Sequence, residues 1–481
     1  MVKGRQPVKI MKKNDKIKTK YVLLVCMLIV YIIFLTPLFF TFDLKTKSIA
    51  ILIISQVLWL GKVFPVAYTS IIVILVMSIH VTTFDKTIGY LGSEVVWLFF
   101  STFIITGAII KSNIINRISL HLLKWSHGNI KFIIFISYVI FGFLALLVPS
   151  NIGRIGITSS FAVEGIIKNV KNQMTTNNLA AGLMIAMSYI VLITGGLVIT
   201  SSNSSIYTLG ILKEETSINW TYLSWLSLTS IPIVIFMLGL FAVIMWLFPI
   251  ENISTNKLQS YIQNQITENG SWKKSEKKIA FIIILTVLLW ITEPVHGYSI
   301  AMIGMFSATL TIFPGTGIWN WEAAKEIVNW DLIIFFATSL ALASMLLDSG
   351  AIQTIAEKIV LLTNFIENSW LLLVIIAVFS QLLRLFFINV LGYMVIMIPM
   401  ALKFGEFSEL LSPSITVMVV FMVGMPGFFL IMQSPVNILS YQYGYFSQRD
   451  LFKAGMLAAP LWILVVIIVS IFLWPAILSF Y

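Results

Sequence analysis

The chain has 481 residues, of which 59% are hydrophobic and only 11% charged, with a net charge of +11. A soluble globular chain carries about 25% charged residues, so there is too little polar surface here for a water-soluble particle and the bilayer is the implied solvent. The positive charge crowds into residues 1–20, where Lys3, Arg5, Lys9, Lys12, Lys13, Lys16, Lys18 and Lys20 face one acid, Asp15. No basic domain interleaved with aromatics follows, which argues against nucleic acid and for a cytoplasmic tail beside anionic lipid.

Tyr21–Phe42 is too long for a signal-peptide core and lacks a small-residue cleavage site, so it reads as a first span. It holds the lone Cys26, which excludes an internal disulfide and a cysteine metal cluster. With about 20 apolar residues needed per crossing, further spans are predicted near 47–63, 64–82, 92–112, 178–211, 223–249, 279–297, 298–316, 328–348, 412–445 and 455–478. Two apolar stretches, 132–167 and 369–404, carry polar breaks at Ser150-Asn151 and at Asn389. Their halves are short for full crossings, and each stretch is predicted to be a re-entrant hairpin. The fold class is therefore an all-α polytopic membrane protein of about eleven transmembrane helices plus two re-entrant hairpins.

The pattern repeats. Trp59 in "VLWLGKVFP" is answered by Trp290 in "LLWITEPV", Trp97 by Trp330, Asn151 by Asn389 and Ser202 by Ser434, at offsets of 231 to 238 residues. Basic residues stay cytoplasmic, and the flanks of the two hairpins differ in sign. Lys111, Arg117, Lys124, Lys131, Lys168 and Lys171 surround the first, whereas Glu357, Glu367, Glu406 and Glu409 outnumber Lys358 and Lys403 around the second. The repeats are thus predicted to be inverted, the first hairpin entering from the cytoplasm and the second from outside. The lysine-rich stretch 251–278 is a cytoplasmic linker, the N-terminus lies inside and the C-terminus outside.

Chemistry concentrates at the breaks. In "VPSNIGRIG", Val148–Gly156, proline and two glycines interrupt the helix around Ser150-Asn151, and Arg154 sits one turn on. Freed carbonyls with Ser and Asn oxygens suit a sodium ion, helix N-termini suit an anion, and an intramembrane arginine suits a carboxylate. The second polar run holds Thr200, Ser201, Ser202, Asn203, Ser204, Ser205 and Tyr207 within one apolar span. Its counterpart, Met432–Phe446, is interrupted by Pro435. The alternative for each is a polar kink satisfied by neighbouring helices. Arg384 is read either as a functional charge or as a side chain snorkelling to a headgroup. Asp331 and Glu293 are read as helix-end anchors. None of the four histidines has a partner at metal-ligand spacing, and no nucleophile–base order or phosphate-binding glycine loop occurs, so an enzyme or an ATP-driven pump is disfavoured.

Several of these motifs resemble those of the divalent anion:sodium symporter family, within the ion transporter superfamily of elevator-type carriers. The likeness rests on "LWLGKVFPVAYTS" at 58–70, "WLFFSTFIITGAIIKSNIINRIS" at 97–119, "VPSNIGRIG" and "SPVNILSYQYGYFSQRDLFKAG" at 434–455. The third is similar to the Ser-Asn-Thr-Ala-Arg run of the oxoglutarate/malate-translocator-like branch. The resemblance implies a homodimer with a scaffold and a moving transport domain in each protomer, and two sodium sites. By position, Ser150, Asn151 and Ser201 would line the first sodium site, and Asn389 and Gln433 the second. Asn151, Ser202, Asn389, Ser434 and Pro435 would meet the anion, with Arg154, read from the sequence itself, as a further substrate-binding residue and counter-charge. Ile152, Ile388 and Val390 stand where the family's motifs carry hydroxyls, a loss of about 1–3 kcal/mol for each partner left unpaired.

The expected domains are a tail at 1–20, scaffold at 21–125 and 279–365, transport parts at 126–250 and 366–481, and the linker 251–278. The expected function is secondary transport of a C4–C5 dicarboxylate such as succinate, malate or 2-oxoglutarate, with sodium as the coupling ion and no other cofactor. The alternatives are a dicarboxylate exchanger, a carrier of citrate, sulfate or an acylated amino acid, and a non-transporting membrane sensor or assembly partner. Short cytoplasmic loops and the basic N-terminus suit a bacterial cytoplasmic membrane.

Overall fold

The computed structural model describes residues 13–38, 40–125, 129–147, 151–160, 166–167, 173–249, 256–315, 317–363 and 365–480. Among them every regular element is a helix. In chain order these are α1 Lys13–Leu35, α2 Leu44–Leu60, α3 Val66–His80, α4 Phe84–Gly89, α5 Glu94–Ser112, α6 Ile114–Lys124, α7 Ile130–Leu147 and α8 Asn151–Ser160. There follow α9 Gln173–Ile193, α10 Asn203–Glu215, α11 Tyr222–Leu247, α12 Asn256–Asn269, α13 Lys274–Ile291, α14 Glu293–His296, α15 Ile300–Ile312 and α16 Trp321–Ile327. The rest are α17 Trp330–Asp348, α18 Ala351–Thr363, α19 Ser369–Leu383, α20 Val390–Phe407, α21 Pro413–Gly424, α22 Pro435–Gln442, α23 Gln448–Phe472 and α24 Trp474–Leu478.

Among the described residues seven helical stretches are long and apolar enough to cross a membrane: Phe84–Ser112, Asn178–Gly196, Tyr222–Leu247, Trp330–Asp348, Ser369–Phe386, Val390–Phe407 and Gln448–Phe472. Shorter apolar helices include Val66–His80, Ile300–Ile312 and Pro413–Gly424. The predicted spans at 178–211 and 412–445 are each two helices, α9 with α10 and α21 with α22, separated by irregular backbone. Within the predicted hairpin stretches the described residues form α7 and α8 in the first and α19 and α20 in the second. Burial separates two kinds of apolar helix. Asn178–Gly196 is wholly enclosed by protein, whereas α11 leaves Val234, Leu238 and Trp246 exposed, as a helix facing hydrocarbon does.

Helix ends follow local chemistry. Thr221 and Ser224 form a capping box that starts α11, and Ser447 and Asp450 do the same for α23. The Glu293 carboxylate, expected at a helix end, accepts from the Tyr222 amide in the first turn of α11.

The chain divides into two compact units, one of residues 1–92 with 330–354 and the other of 93–329 with 355–481. In the first, α3 packs on α17 and α1 on α2, with the Trp59 ring edge-on to Phe335. A half-exposed ion pair, Lys86–Asp348 at 2.8 Å, closes one end. The second unit contains both stretches predicted to be hairpins and both broken helices, and it carries all the described candidate site residues.

Candidate functional site

The first half of the site is the tip of α8 against the break after α9. Arg154 lies in the first turn of α8 and is fully buried. Its Nη1 donates to Thr194 Oγ1 at 2.9 Å, and its Nη2 donates to Asn151 Oδ1 and approaches the Ser201 carbonyl at 3.4 Å. Between Ile193 and Asn203 the backbone makes two short 3₁₀ turns. Helical bonding fails there, and side chains take over the carbonyls. Gly195 O accepts from Ser201 Oγ at 2.7 Å and Ser205 Oγ at 2.6 Å, Gly196 O from Trp225 Nε1 at 2.9 Å, and Leu197 O from Thr229 Oγ1 at 2.7 Å. Ser202 caps α10 by accepting from the Ser205 amide at 3.2 Å. Gly195 has no room for a side chain: a Cβ would lie 2.8 Å from both Asn151 Oδ1 and Met425 Cε. Gly195 thus lies close to side chains of both α8 and the segment after α21.

The second half is the tip between α19 and α20 against the break before α22. Asn389 caps α20, its Oδ1 accepting from the Leu391 amide at 3.1 Å. Ser434 caps α22 by accepting from the Val436 amide at 3.1 Å, and Pro435 occupies the first helical position, where it needs no N–H partner. Gln433 Oε1 accepts from the amides of Phe429 at 3.0 Å and Leu430 at 3.3 Å. Both lone pairs of that oxygen are used, which leaves the Nε2 edge of the side chain as its remaining polar group. Asn437 Nδ2 holds the Gly427 carbonyl at 2.6 Å and the Leu430 carbonyl at 3.1 Å, and Trp462 Nε1 holds Met422 O at 2.9 Å.

Arg384 does not snorkel. It is fully buried, with Nε on the Gly424 carbonyl at 3.0 Å and Nη1 on the Phe387 carbonyl. Its place in the turn after α19 keeps it among main-chain oxygens of the second break, which is why the headgroup alternative fails.

The two halves interlock. Helix α22 packs on α8 and α9, α10 packs on α20, and the turn Arg384–Phe386 packs on the turn Ile431–Gln433. Ser188 of α9 bonds Ser440 of α22 at 2.8 Å, and Tyr189 Oη lies 2.8 Å from the main-chain carbonyls of both Phe428 and Leu451, which share its one proton. Asn151, Arg154, Ser201 and Ser202 thus gather at the first break, and Asn389, Gln433, Ser434 and Pro435 at the second. Ser150 lies outside the described residues. Four helices (α8, α10, α20 and α22) begin at these breaks and tips, and helix N-termini carry partial positive charge that favours an anion. Among the described residues no group of three His, Cys, Asp or Glu side chains could hold a metal; sodium would rely on neutral oxygens.

Sequence reasoning passed over Trp225, Trp462, Tyr189 and Asn437, which hold the broken backbone together. Tryptophans in an apolar chain read as membrane-interface residues; only the fold shows their N–H groups turned to carbonyls at the breaks.

A family model described as "Sodium:sulfate symporter transmembrane region" matches residues 17–480. The "Sodium-dependent dicarboxylate transporter SdcS" of Staphylococcus aureus (strain USA300) is 26% identical over 356 residues, covering 68% of this chain and 67% of that protein. The protein of the same name from strain NCTC 8325 / PS 47 matches to the same extent. A solved structure of Neisseria gonorrhoeae MtrF, described in its title as illuminating a class of antimetabolite efflux pumps, aligns with a TM-score of 0.53 at 10% identity, covering 92% of this chain and 97% of that one. At that identity the likeness concerns the fold alone. Family and helices together place this protein in a membrane as a multi-pass transporter, and not among enzymes. The chain belongs to the sodium:sulfate symporter family, the divalent anion:sodium symporters that its motifs resemble.

Proposed function

We propose that this protein is a secondary carrier of C4–C5 dicarboxylates, coupled to sodium, working as a homodimer of two inverted repeats in which residues 126–250 and 366–481 move as an elevator against the remainder. The N-terminus is cytoplasmic, the C-terminus external, and the membrane a bacterial cytoplasmic one. The observation that carries the reading is the set of four helix N-termini at Asn151, Ser202, Asn389 and Ser434, supplied by both halves of the chain. Such a site attracts an anion with main-chain dipoles and neutral caps. The names of the Staphylococcus aureus relatives, sodium-dependent dicarboxylate transporters, support the choice of substrate and coupling ion.

One contact supports a second reading, exchange without sodium. The Arg154 guanidinium reaches Asn151 Oδ1 and the Ser201 carbonyl, oxygens of the first proposed sodium site. A fixed cation there does electrostatically what sodium would do.

The test is uptake of labelled succinate, malate and 2-oxoglutarate into proteoliposomes, with a sodium gradient or with choline, and with or without internal dicarboxylate. Sodium-dependent uptake, weakened roughly tenfold or more by Asn151→Ala and by Asn389→Ala, is expected of the symporter. Uptake driven by internal dicarboxylate alone establishes exchange. Flux of citrate, sulfate or an acylated amino acid instead overturns the dicarboxylate assignment. No flux of any of these from folded protein overturns the carrier and leaves the sensor.

A further inference from the structure

We infer that Arg384 and Gln433 form a carboxylate-binding subsite at the second hairpin tip, taking one end of the transported anion; this rests on the carrier reading above. Arg384 is fully buried and Gln433 is 1% exposed. The guanidinium is locked in place by two carbonyls, Gly424 through Nε and Phe387 through Nη1. Among the described residues its Nη2 has no acceptor, and none of the ion pairs there includes it. Gln433 Nε2 also has no acceptor. Its orientation is set by chemistry: the reverse flip would turn an NH₂ group onto the amides of Phe429 and Leu430, donor against donor.

Two buried donors are therefore unsatisfied, one charged and one neutral, on turns that pack against each other. An unpaired buried charge is strongly unfavourable, and each orphaned donor adds to the cost. A carboxylate resolves both, because it is an acceptor-only group with two oxygens and pairs with guanidinium by short, charge-assisted bonds. A cation would be repelled by Arg384, so the same geometry removes Gln433 from the sodium ligands and gives it to the anion. The position fits the substrate. Gln433 directly precedes Ser434, and the Phe387 carbonyl held by Arg384 lies two residues before Asn389.

The experiment compares the wild-type protein with Arg384→Gln, Arg384→Lys and Gln433→Leu in proteoliposomes. It measures KM and kcat for succinate and competition by monomethyl succinate, with folding checked by size-exclusion chromatography in detergent. Arg384→Gln is expected to raise the succinate KM roughly tenfold to a hundredfold and to abolish the preference for the dianion over the monoester. Arg384→Lys, which keeps the charge, retains part of that preference. Gln433→Leu leaves both carbonyl bonds of Arg384 intact and is expected to raise KM by a few-fold to about tenfold, so it decides the matter if Arg384→Gln does not fold. Folded Gln433→Leu and Arg384→Lys proteins with wild-type KM and wild-type discrimination overturn the subsite alone. A wild-type protein that takes no dicarboxylate under any gradient overturns the carrier reading, and the subsite with it.

Discussion

Arg117 and Arg384 are both buried guanidiniums, but they are buried on different terms. Arg117 in α6 has its Nε 3.0 Å from Glu276 Oε2, and both side chains are 3% exposed. Its Nη1 donates to the Gly270 carbonyl at 2.8 Å, and its Nη2 to those of Asn269 at 2.9 Å and Ser271 at 3.2 Å, while Trp272 covers the guanidinium. The charge is cancelled, both Nη groups are spent, and the carbonyls at the end of α12 are capped. Among the described residues Arg384 has two carbonyls, no carboxylate, and an Nη2 without an acceptor. The first arginine is a closed structural clamp on the α12–α13 linker; the second is an open one whose counter-charge must come from elsewhere. In a low-dielectric interior this difference separates a residue that holds the fold from one that waits for an anion.

Breaking the closed clamp has the largest expected effect. Arg117→Met or Glu276→Gln alone leaves one partner buried and unpaired and costs about 3–5 kcal/mol, read by denaturant unfolding in detergent. Added succinate should restore none of it. The double variant Arg117→Met/Glu276→Met should regain much of the loss; a single-variant cost below about 1 kcal/mol would erase the contrast with Arg384. A smaller effect is expected at Gly424, whose carbonyl holds Arg384 and whose absent side chain makes room for the Tyr393 ring. Gly424→Ala overlaps that ring, costs about 1–3 kcal/mol, and should raise the succinate KM by displacing the carbonyl. A stability loss with no change in KM would detach Arg384 from the anion. The smallest effect belongs to Lys86–Asp348, a pair at 2.8 Å with both side chains 54% exposed. Solvent screens it, so Lys86→Ala should change stability by no more than about 1 kcal/mol; a larger loss would mean that exposure is a poor guide to which ion pairs matter in this chain.

Much of this arrangement was legible in advance. The interruptions at Ser150-Asn151, at Ser201–Ser205, at Asn389 and at Pro435 are visible because proline, glycine and clustered hydroxyls cannot continue an apolar helix without leaving main-chain groups to be satisfied. At the last three of these places the structure has discontinuous helices, and Ser150 lies outside the described residues. The polar run after Thr200 invited a water- or ligand-filled site, yet Ser201 and Ser205 turn their hydroxyls to the Gly195 carbonyl. Arg384 was poised between function and snorkelling, since a lone arginine in an apolar stretch fits both descriptions until its surroundings are known. Gln433 was assigned to the second sodium site by its position in the family resemblance; that its oxygen is engaged by the Phe429 and Leu430 amides is something only the fold shows.

By itself the sequence determined that this protein lives in a bilayer, that it is helical, that helices break at the polar run after Thr200, at Asn389 and at Pro435, and which family it resembles. Those follow from composition, span length and residues that bar helical bonding, all local properties of the chain. Only the tertiary structure decided how each freed polar group is satisfied: Trp462 on the Met422 carbonyl, Tyr189 on the Phe428 carbonyl, Gln433 on two amides, and Arg384 on two carbonyls with one edge left over. A buried hydrogen bond depends on the direction of its partner to within a few tenths of an ångström. In this molecule several of those partners come from helices tens to hundreds of residues away along the chain.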